Sequence, residues 1–327
     1  MALKCMRVIA LLITSSLAWL APAAAEEKWP TRPVTIVVPF SAGGSQDIIA
    51  RMLAKHLEQA LGSTFVVENR LGAGGNIATG FVAKAKPDGY TYVLSSSGPL
   101  ANNRFLYKNL GYDPMTDLTP VSLLGQFPMV IAAGKKTKFT DLKSYVDMAS
   151  KKPGSYEIGT PGAGTMGDLT ALLLQSATDT KLLHVPFSGG APALMATVAG
   201  QISMAVDVVN GTLIDYIKSG KLNGLAITSK KRFADLPDLP TAIEQGYPKL
   251  ESGVYFALVG PAKLPPAIVT KLNAEVNRFL SLPETSEKLL GLGVEIAGGA
   301  PSEVTTMMEN SAATWGPIIK ASGAQPR

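Results

Sequence analysis

The sequence predicts an α/β fold built from two lobes. Strand-like runs of β-branched residues alternate with amphipathic segments, a pattern typical of helices packed on largely parallel sheets. The phrase PFSAGG at 39–44 returns as PFSGG at 186–190, each time between a predicted strand and a predicted helix. The echo is either a coincidence in a glycine-rich chain or the mark of one such loop in each of two lobes. The chain of 327 residues is also long enough for two domains with sizeable cores.

The first 25 residues have the features of a secretion signal. Lys4 and Arg7 give a positive start, residues 8–21 are apolar, and small side chains precede a cleavage point after Ala25. The apolar run is too short for a stable membrane span. Cleavage would also remove Cys5, the only cysteine, which suits an oxidising compartment. We therefore expect an exported protein.

The first half of the mature chain predicts strand–helix units. Residues 34–38 form a β-branched run, and the apolar residues after it repeat at helical spacing until Gly62, a typical helix end. Pro87-Asp88-Gly89 supplies turn chemistry before the next strand. The predicted strands are 34–38, 65–67 and one that ends at Ser95-Ser96-Ser97, and the predicted helices are 48–61 and 77–85.

The alternation restarts in the second half. A proline-rich stretch at 236–248 then indicates a connection back to the first half. The predicted strands are 130–133, 156–159, 182–186, 202–209, 222–228 and 254–261, and the predicted helices are 142–150, 169–175, 192–199, 266–280, 287–292 and 302–322.

The loop at 39–44 suits an anion. A helix start leaves backbone N–H groups unpaired and carries partial positive charge. Gly43 and Gly44 would let a carboxylate, phosphate or sulfate approach that backbone. A tight strand-to-helix turn is the alternative, and the sequence leaves both open. Asp47, in the first helical turn, suits capping better than ligand contact.

A second glycine loop, GTPGAGTMG at 159–167, contains the spacing of a dinucleotide fingerprint. The loop starts with Thr160-Pro161, and the next strand ends without an acid that could hold a ribose. Anion binding by N–H groups, helped by the hydroxyls of Thr160 and Thr165, is the better functional interpretation, with a structural turn as the alternative. The third loop, at 70–78, favours a structural role.

Two further polar positions are candidates, one at the end of a predicted strand and one within a predicted strand. Ser95-Ser96-Ser97 ends a strand, so one of these hydroxyls could face the crevice between the lobes. Asp207 is an acid in an otherwise apolar strand, where an unpartnered carboxylate would be costly to bury. It could accept a hydrogen bond from a ligand or be a satisfied structural acid.

The sequence shows none of the motifs typical of catalysis, metal binding or cofactor binding, which argues against an enzyme without excluding one. There is no nucleophile-elbow, zinc-ligand or P-loop pattern. His56 suits packing or the surface, and His184 suits a core position better than a general base. The chain has a net charge of +5, but its basic residues are scattered, which argues against nucleic-acid binding.

Phrases along almost the whole mature chain resemble a known family, the extracytoplasmic solute receptors of the tripartite tricarboxylate transporters, of the Bug or TctC type. The phrases are WPTRPVTIVVPFSAGGSQDIIAR, VVENRLGAGGNIA, AKAKPDGYTYVLSSSG, YDPMTDLTPVSLL, HVPFSGGAPALMATVAGQI and IKSGKLNGLAITSKKRFADLPDLPT. The combination of the PFSAGG loop with PDGYT and HVPFSGGAPA is highly specific.

The resemblance implies a type II periplasmic-binding fold with a central cleft that closes on its ligand. Lobe 1 would comprise residues 26–125 and 250–327, and lobe 2 residues 126–249, with the C-terminal helices on either lobe. It implies a monomer in the periplasm that delivers a small organic acid (a di- or tricarboxylate, an aromatic acid or an amino acid) to integral membrane permease subunits. No cofactor, metal or catalytic residue is expected.

The resemblance, together with the loops, gives a set of candidate ligand-binding residues. They are Phe40, Ser41, Ala42, Gly43, Gly44, Asp47, Ser97, Thr160, Pro161, Gly164, Thr165 and Asp207. Two alternatives remain open at this point: an exported α/β hydrolase-like enzyme, in which His184 is the one candidate base, and a receptor that reports to a sensor kinase.

Overall fold

A computed structural model gives the fold and describes residues 29–40 and 42–321. The predicted secretion signal at 1–25 and the candidate ligand residue Ser41 therefore lie outside the described residues. Strands and helices alternate along the chain, as the sequence predicts.

The described strands are β1 (Val34–Val38), β2 (Phe65–Asn69), β3 (Thr91–Ser96), β4 (Leu118–Gly134), β5 (Glu157–Thr160), β6 (Leu183–Pro186), β7 (Met204–Val208), β8 (Leu222–Ile227), β9 (Gly253–Pro261) and β10 (Glu295–Ile296). The described helices are α1 (Ser45–Leu61), α2 (Asn76–Ala83), α3 (Asn103–Leu106), α4 (Leu142–Ala149), α5 (Met166–Thr178), α6 (Gly190–Ala199), α7 (Gly211–Lys218), α8 (Pro266–Ser281), α9 (Pro283–Gly291) and α10 (Pro301–Ala321).

The described strands form a ten-stranded sheet in the order β2-β1-β3-β9-β4-β7-β5-β6, with β8 and β10 also paired to β4. One end is parallel, through β1 with β2 and β3, and so is the other, through β5 with β6 and β7. The central strands β4 and β9 run antiparallel to their neighbours. The prediction of largely parallel sheets is therefore wrong for the centre.

Strand β4 connects the two ends of the sheet, and the sequence prediction of a strand at 130–133 recovered only its last part. Residues 118–128 pair with β9, whereas the remainder pairs with β7 and β8. The register shifts between Pro120 and Ser122 and between Leu123 and Gly125. Proline and glycine within the strand interrupt the local apolar pattern, which hid its first two-thirds.

Each end of the sheet is covered on both faces. Successive strand residues point to opposite faces, so Ile36 joins one buried hydrophobic cluster and Val37 another. In the same way Ile131 and Val130 belong to two further clusters around the other end. This doubling of layers gives two α/β lobes with separate cores.

The C-terminal helix α10 contacts both lobes. Val304 and Met308 pack in a cluster with Val37, whereas Trp315 and Ile319 pack in the cluster that contains Ile131. The sequence analysis left the lobe of the C-terminal helices open, and α10 spans the two cores.

Helix α7 is an element that the sequence analysis did not predict. The sequence feature that could have predicted it is the N-cap residue Asn210, whose side chain accepts a hydrogen bond from the Leu213 N–H. The helix has eight residues, of which Leu213 and Ile214 are buried.

Candidate functional site

Parallel pairing brings the first predicted loop and Ser97 to the same sheet edge. Strand β1 ends at Val38 and β3 ends at Ser96, and the two strands are parallel neighbours. Phe40 and Ser97 therefore both follow carboxyl ends, where open α/β sheets hold ligands. The loop of residues 161–165 occupies the corresponding position after β5, at the other end of the sheet.

The carboxylate of Asp47 stabilises the first loop through hydrogen bonds. It accepts hydrogen bonds of 2.9 Å from the Gly43 N–H, the Arg51 Nε and the Asn69 amide. Asn69 also donates to the Phe40 carbonyl, at 2.9 Å. The Arg51 hydrogen bond, with those of Gly43 and Asn69, lowers the pKa of Asp47 to about 2, although burial opposes the shift. Asp47 is therefore a charged partner of Arg51 that fixes the loop.

The second loop is stabilised by an aspartate in the same way. The Gly164 N–H donates to the Asp168 carboxylate at 2.9 Å, and the His184 Nδ1 lies 3.1 Å from the other oxygen. In both loops a glycine N–H therefore meets an aspartate four residues later. Burial by itself would raise the pKa of Asp168, but the hydrogen bonds from His184 and Gly164 lower it below its ordinary value.

A hydrogen-bonded chain fixes the tautomer of His184. Gln175 accepts the Leu182 N–H with its Oε1, at 2.7 Å, so its amide nitrogen faces the His184 Nε2, also at 2.7 Å. The proton of His184 is then on Nδ1, where it donates to Asp168. His184 is therefore part of the support of the loop, but it is only half-buried in the edge strand β6, so the predicted core position is wrong.

A cavity of about 340 Å³ lies between the two loops. Four candidate ligand residues line it: Phe40, Ser97, Gly164 and Thr165. The candidates that do not line it are Ala42, Gly43, Gly44, Asp47, Thr160, Pro161 and Asp207.

Sequence reasoning missed most of the cavity wall, which also includes Gly74, Ser96, Gly98, Asn102, Asn103, Leu106, Tyr107, Ala163, Met166, Leu169 and Val254. Met166 and Leu169 lie three residues apart at the start of α5, so helical spacing could have placed them on one face. Val254 comes from the far end of the chain and has no local signal.

The cavity is electrically neutral along its wall. None of its lining residues that the structure describes carries a charged side chain. In the described ranges there is also no group of three or more His, Cys, Asp or Glu side chains that could hold a metal ion. Any anion in this cavity would therefore be held by neutral hydrogen-bond donors.

Asp207 lies apart from the cavity wall, beside the start of α6. It is 8% exposed, and its carboxylate accepts the Val208 N–H at 2.9 Å and the Asn210 amide at 3.2 Å. Its oxygens pack so closely against Gly190 that a Cβ there would lie 2.0 Å from one of them. Burial raises the pKa of Asp207 to about 6, which exceeds the opposing effect of the two hydrogen bonds.

We expect Asp207 to make the protein less stable as the pH rises from about 4 to 6. In that range the folded protein holds a proton that the unfolded chain, with a pKa of 3.8, has released. The free energy of unfolding should therefore fall by about 2–3 kcal/mol from this group. Urea unfolding between pH 4 and 7 should show this slope in the wild type and not in Asp207→Asn. The exposed Asp215 provides a matched control, Asp215→Asn, and an unchanged slope in Asp207→Asn would contradict the assignment.

Two α/β lobes that share crossing strands, with a cavity at the carboxyl ends of their parallel strands, define the class of type II periplasmic solute-binding proteins. Solved structures agree with this class: the fold matches Rpa4515 of R. palustris, solved with adipate, with a TM-score of 0.77. The two sequences are 35% identical, and the match covers 91% of this chain and 100% of that one.

The chain belongs to the family described as tripartite tricarboxylate transporter family receptor, whose model matches residues 49–324. It is 33% identical to Protein BugT of Bordetella pertussis over 307 residues, 93% of each chain. It is also similar to MatC of Rhodopseudomonas palustris, solved with bound malate: 32% identity, a TM-score of 0.73, and coverage of 89% of this chain and 100% of that one.

The family match confirms the resemblance and the fold class that the resemblance implied. It is a family of periplasmic substrate receptors and not of enzymes, so the prediction that the chain is not an enzyme is confirmed and the hydrolase alternative is wrong. Along 29–40 and 42–321, no helix combines the length and the apolar character that a membrane crossing requires.

Proposed function

We propose that this protein captures a small organic carboxylate in the cavity between the two loops and delivers it to a tripartite tricarboxylate-type permease. The observation that carries the proposal is the cavity itself, which Phe40 and Ser97 line from lobe 1 and Gly164 and Thr165 from lobe 2. The relatives solved with adipate and malate support a carboxylate as ligand.

In this proposal, uncharged hydrogen-bond donors hold the carboxylate. The Gly43 and Gly164 N–H groups are already donated to Asp47 and Asp168, so these glycines would shape the loops more than bind the ligand. Asp47 would then act as a positioning residue. Serine, threonine and amide groups of the wall would hold the carboxylate, and closure of the lobes around it would exclude water and strengthen those bonds.

The lobe boundaries remain part of the proposal. Residues 26–125 with 250–327 would form lobe 1 and residues 126–249 lobe 2, a division supported by the change of pairing partners along β4 after Pro128. We also propose that the mature protein is a periplasmic monomer, released by cleavage after Ala25. A receptor that reports to a sensor kinase would have the same binding site. Capture of either the permease or a kinase by the closed form of the protein distinguishes the transport function from the sensing function.

Calorimetry of the mature protein with adipate, malate, hexanoate and benzoate tests the proposal. We expect at least one of them to bind with 1:1 stoichiometry. Its affinity should change less than about threefold between 0.05 and 0.5 M salt, because the donors in the wall are uncharged. Hexanamide is the matched neutral control. Binding of the amide as tightly as of the acid, or no binding by any acid, would contradict the proposal.

A further inference from the structure

Four apolar side chains form part of the cavity wall. Leu169 is a member of the hydrophobic cluster around Ile131, and Leu106, Met166 and Val254 pack against that same cluster. All four side chains line the cavity, and Leu106, Met166 and Val254 are only partly buried. The cavity therefore exposes an edge of that hydrophobic cluster.

An aromatic ring on the other loop complements that exposed edge. Phe40 lines the same cavity from lobe 1 and is 39% exposed. A ligand with an apolar body would remove water from Phe40 and from that edge at once. A ligand that is polar along its whole length would leave both without a partner.

Among the described residues, the polar part of the wall has no cation but includes a buried amide donor that is not used. The Asn102 amide nitrogen is buried and has no hydrogen-bond partner among the described residues, while the Asn102 Oδ1 accepts from Ser311 at 2.9 Å. The Asn103 amide is already bonded to Asn76 and to the Gly74 carbonyl. With no cation in the wall, a second carboxylate against Leu169 or Met166 would be desolvated without compensation.

We infer that the ligand is a monocarboxylate with an uncharged apolar body, of the aliphatic or aromatic kind, with its body between Phe40 and the wall formed by Leu106, Met166, Leu169 and Val254. This inference rests on the proposed carboxylate-binding function and narrows it. It also sets the chain apart from the relative that was solved with adipate, since that ligand is charged at both ends.

Hexanoate and adipate form a matched pair that tests the inference, because they have the same chain length and differ in one carboxylate. Calorimetry on the mature protein should give hexanoate at least a tenfold higher affinity than adipate. The aromatic pair benzoate and terephthalate should show the same order. Adipate binding as tightly as hexanoate, or terephthalate as tightly as benzoate, would overturn the inference.

Two variants test whether Phe40 and Met166 determine the preference for a monocarboxylate. Phe40→Ala should weaken hexanoate binding about tenfold, whereas Phe40→Leu should retain most of it. Met166→Lys places a cation in the wall and should reduce the hexanoate-to-adipate ratio at least tenfold; an unchanged ratio would contradict the assigned wall. Hexanamide separates the two levels of the argument. If hexanamide binds as tightly as hexanoate, the proposed carboxylate-binding function fails while the preference for an apolar body stands. If adipate binds best, the carboxylate-binding function stands while the preference for a monocarboxylate fails.

Discussion

Replacing Gly164 with leucine is expected to lower ligand affinity at least a hundredfold. Gly164 lines the cavity at the point where the second loop enters α5, and its φ of +74° lies in the left-handed region. A leucine side chain there would occupy the space that a ligand needs. The left-handed backbone also costs about 1–2 kcal/mol for a residue with a Cβ, which would disturb the loop further.

The chain offers a close control for this substitution. Gly154 has a φ of +73°, is exposed, and would place a Cβ with nothing within 4 Å. Gly154→Leu therefore carries the same backbone cost away from the cavity. Calorimetry with hexanoate and adipate should show wild-type affinity in Gly154→Leu and loss of binding in Gly164→Leu, while circular dichroism confirms that both are folded. Equal affinities in the two folded variants would exclude this loop from the site.

The largest loss of stability is expected for Phe256→Ala. Phe256 is fully buried in β9, lies opposite Ser96 of β3 and Gly125 of β4, and its ring is 5.3 Å from that of Phe127. The truncation would leave a cavity where the two antiparallel central strands meet. The free energy of unfolding should fall by about 3–5 kcal/mol, as for other phenylalanine truncations in cores.

Phe81→Ala is the matched control, since it removes the same atoms from a ring that is 40% exposed and lies under the Arg70 guanidinium. Its cost should be about 1 kcal/mol or less. Urea unfolding of the two variants beside the wild type measures the difference. A cost for Phe256→Ala similar to that of Phe81→Ala would mean that the centre of the sheet can repack around the void.

Local patterns predicted much of the fold because they report local physics. The β-branched run before Phe40 and the helical spacing after it predict a strand and α1, whose bounds the structure places at Val34–Val38 and Ser45–Leu61. The antiparallel centre was not predictable in this way. Pairing of β4 with β9 joins residues more than a hundred positions apart, and no local spacing records it.

The candidate site, like the fold, was only partly predictable from local sequence patterns. The loop containing Gly164 and Thr165 was predicted from glycines at a strand-to-helix junction, and both residues line the cavity. Asp47 was harder to interpret, because a carboxylate in a first helical turn suits both capping and ligand contact, and Asp168 carried no prediction. Only the bonds from Gly43 to Asp47 and from Gly164 to Asp168 distinguish support from contact.

The sequence by itself determined the alternation of elements, the two glycine loops and the family, since each depends on residues that are close together in the chain. The tertiary structure decided which of those residues share a cavity and what completes its wall. Val254 lines the cavity together with Met166 and Phe40 because β9 returns to the sheet between β3 and β4. Contact at that range is set by the packing of whole lobes, so the neutral, partly apolar character of the cavity became visible only in the fold.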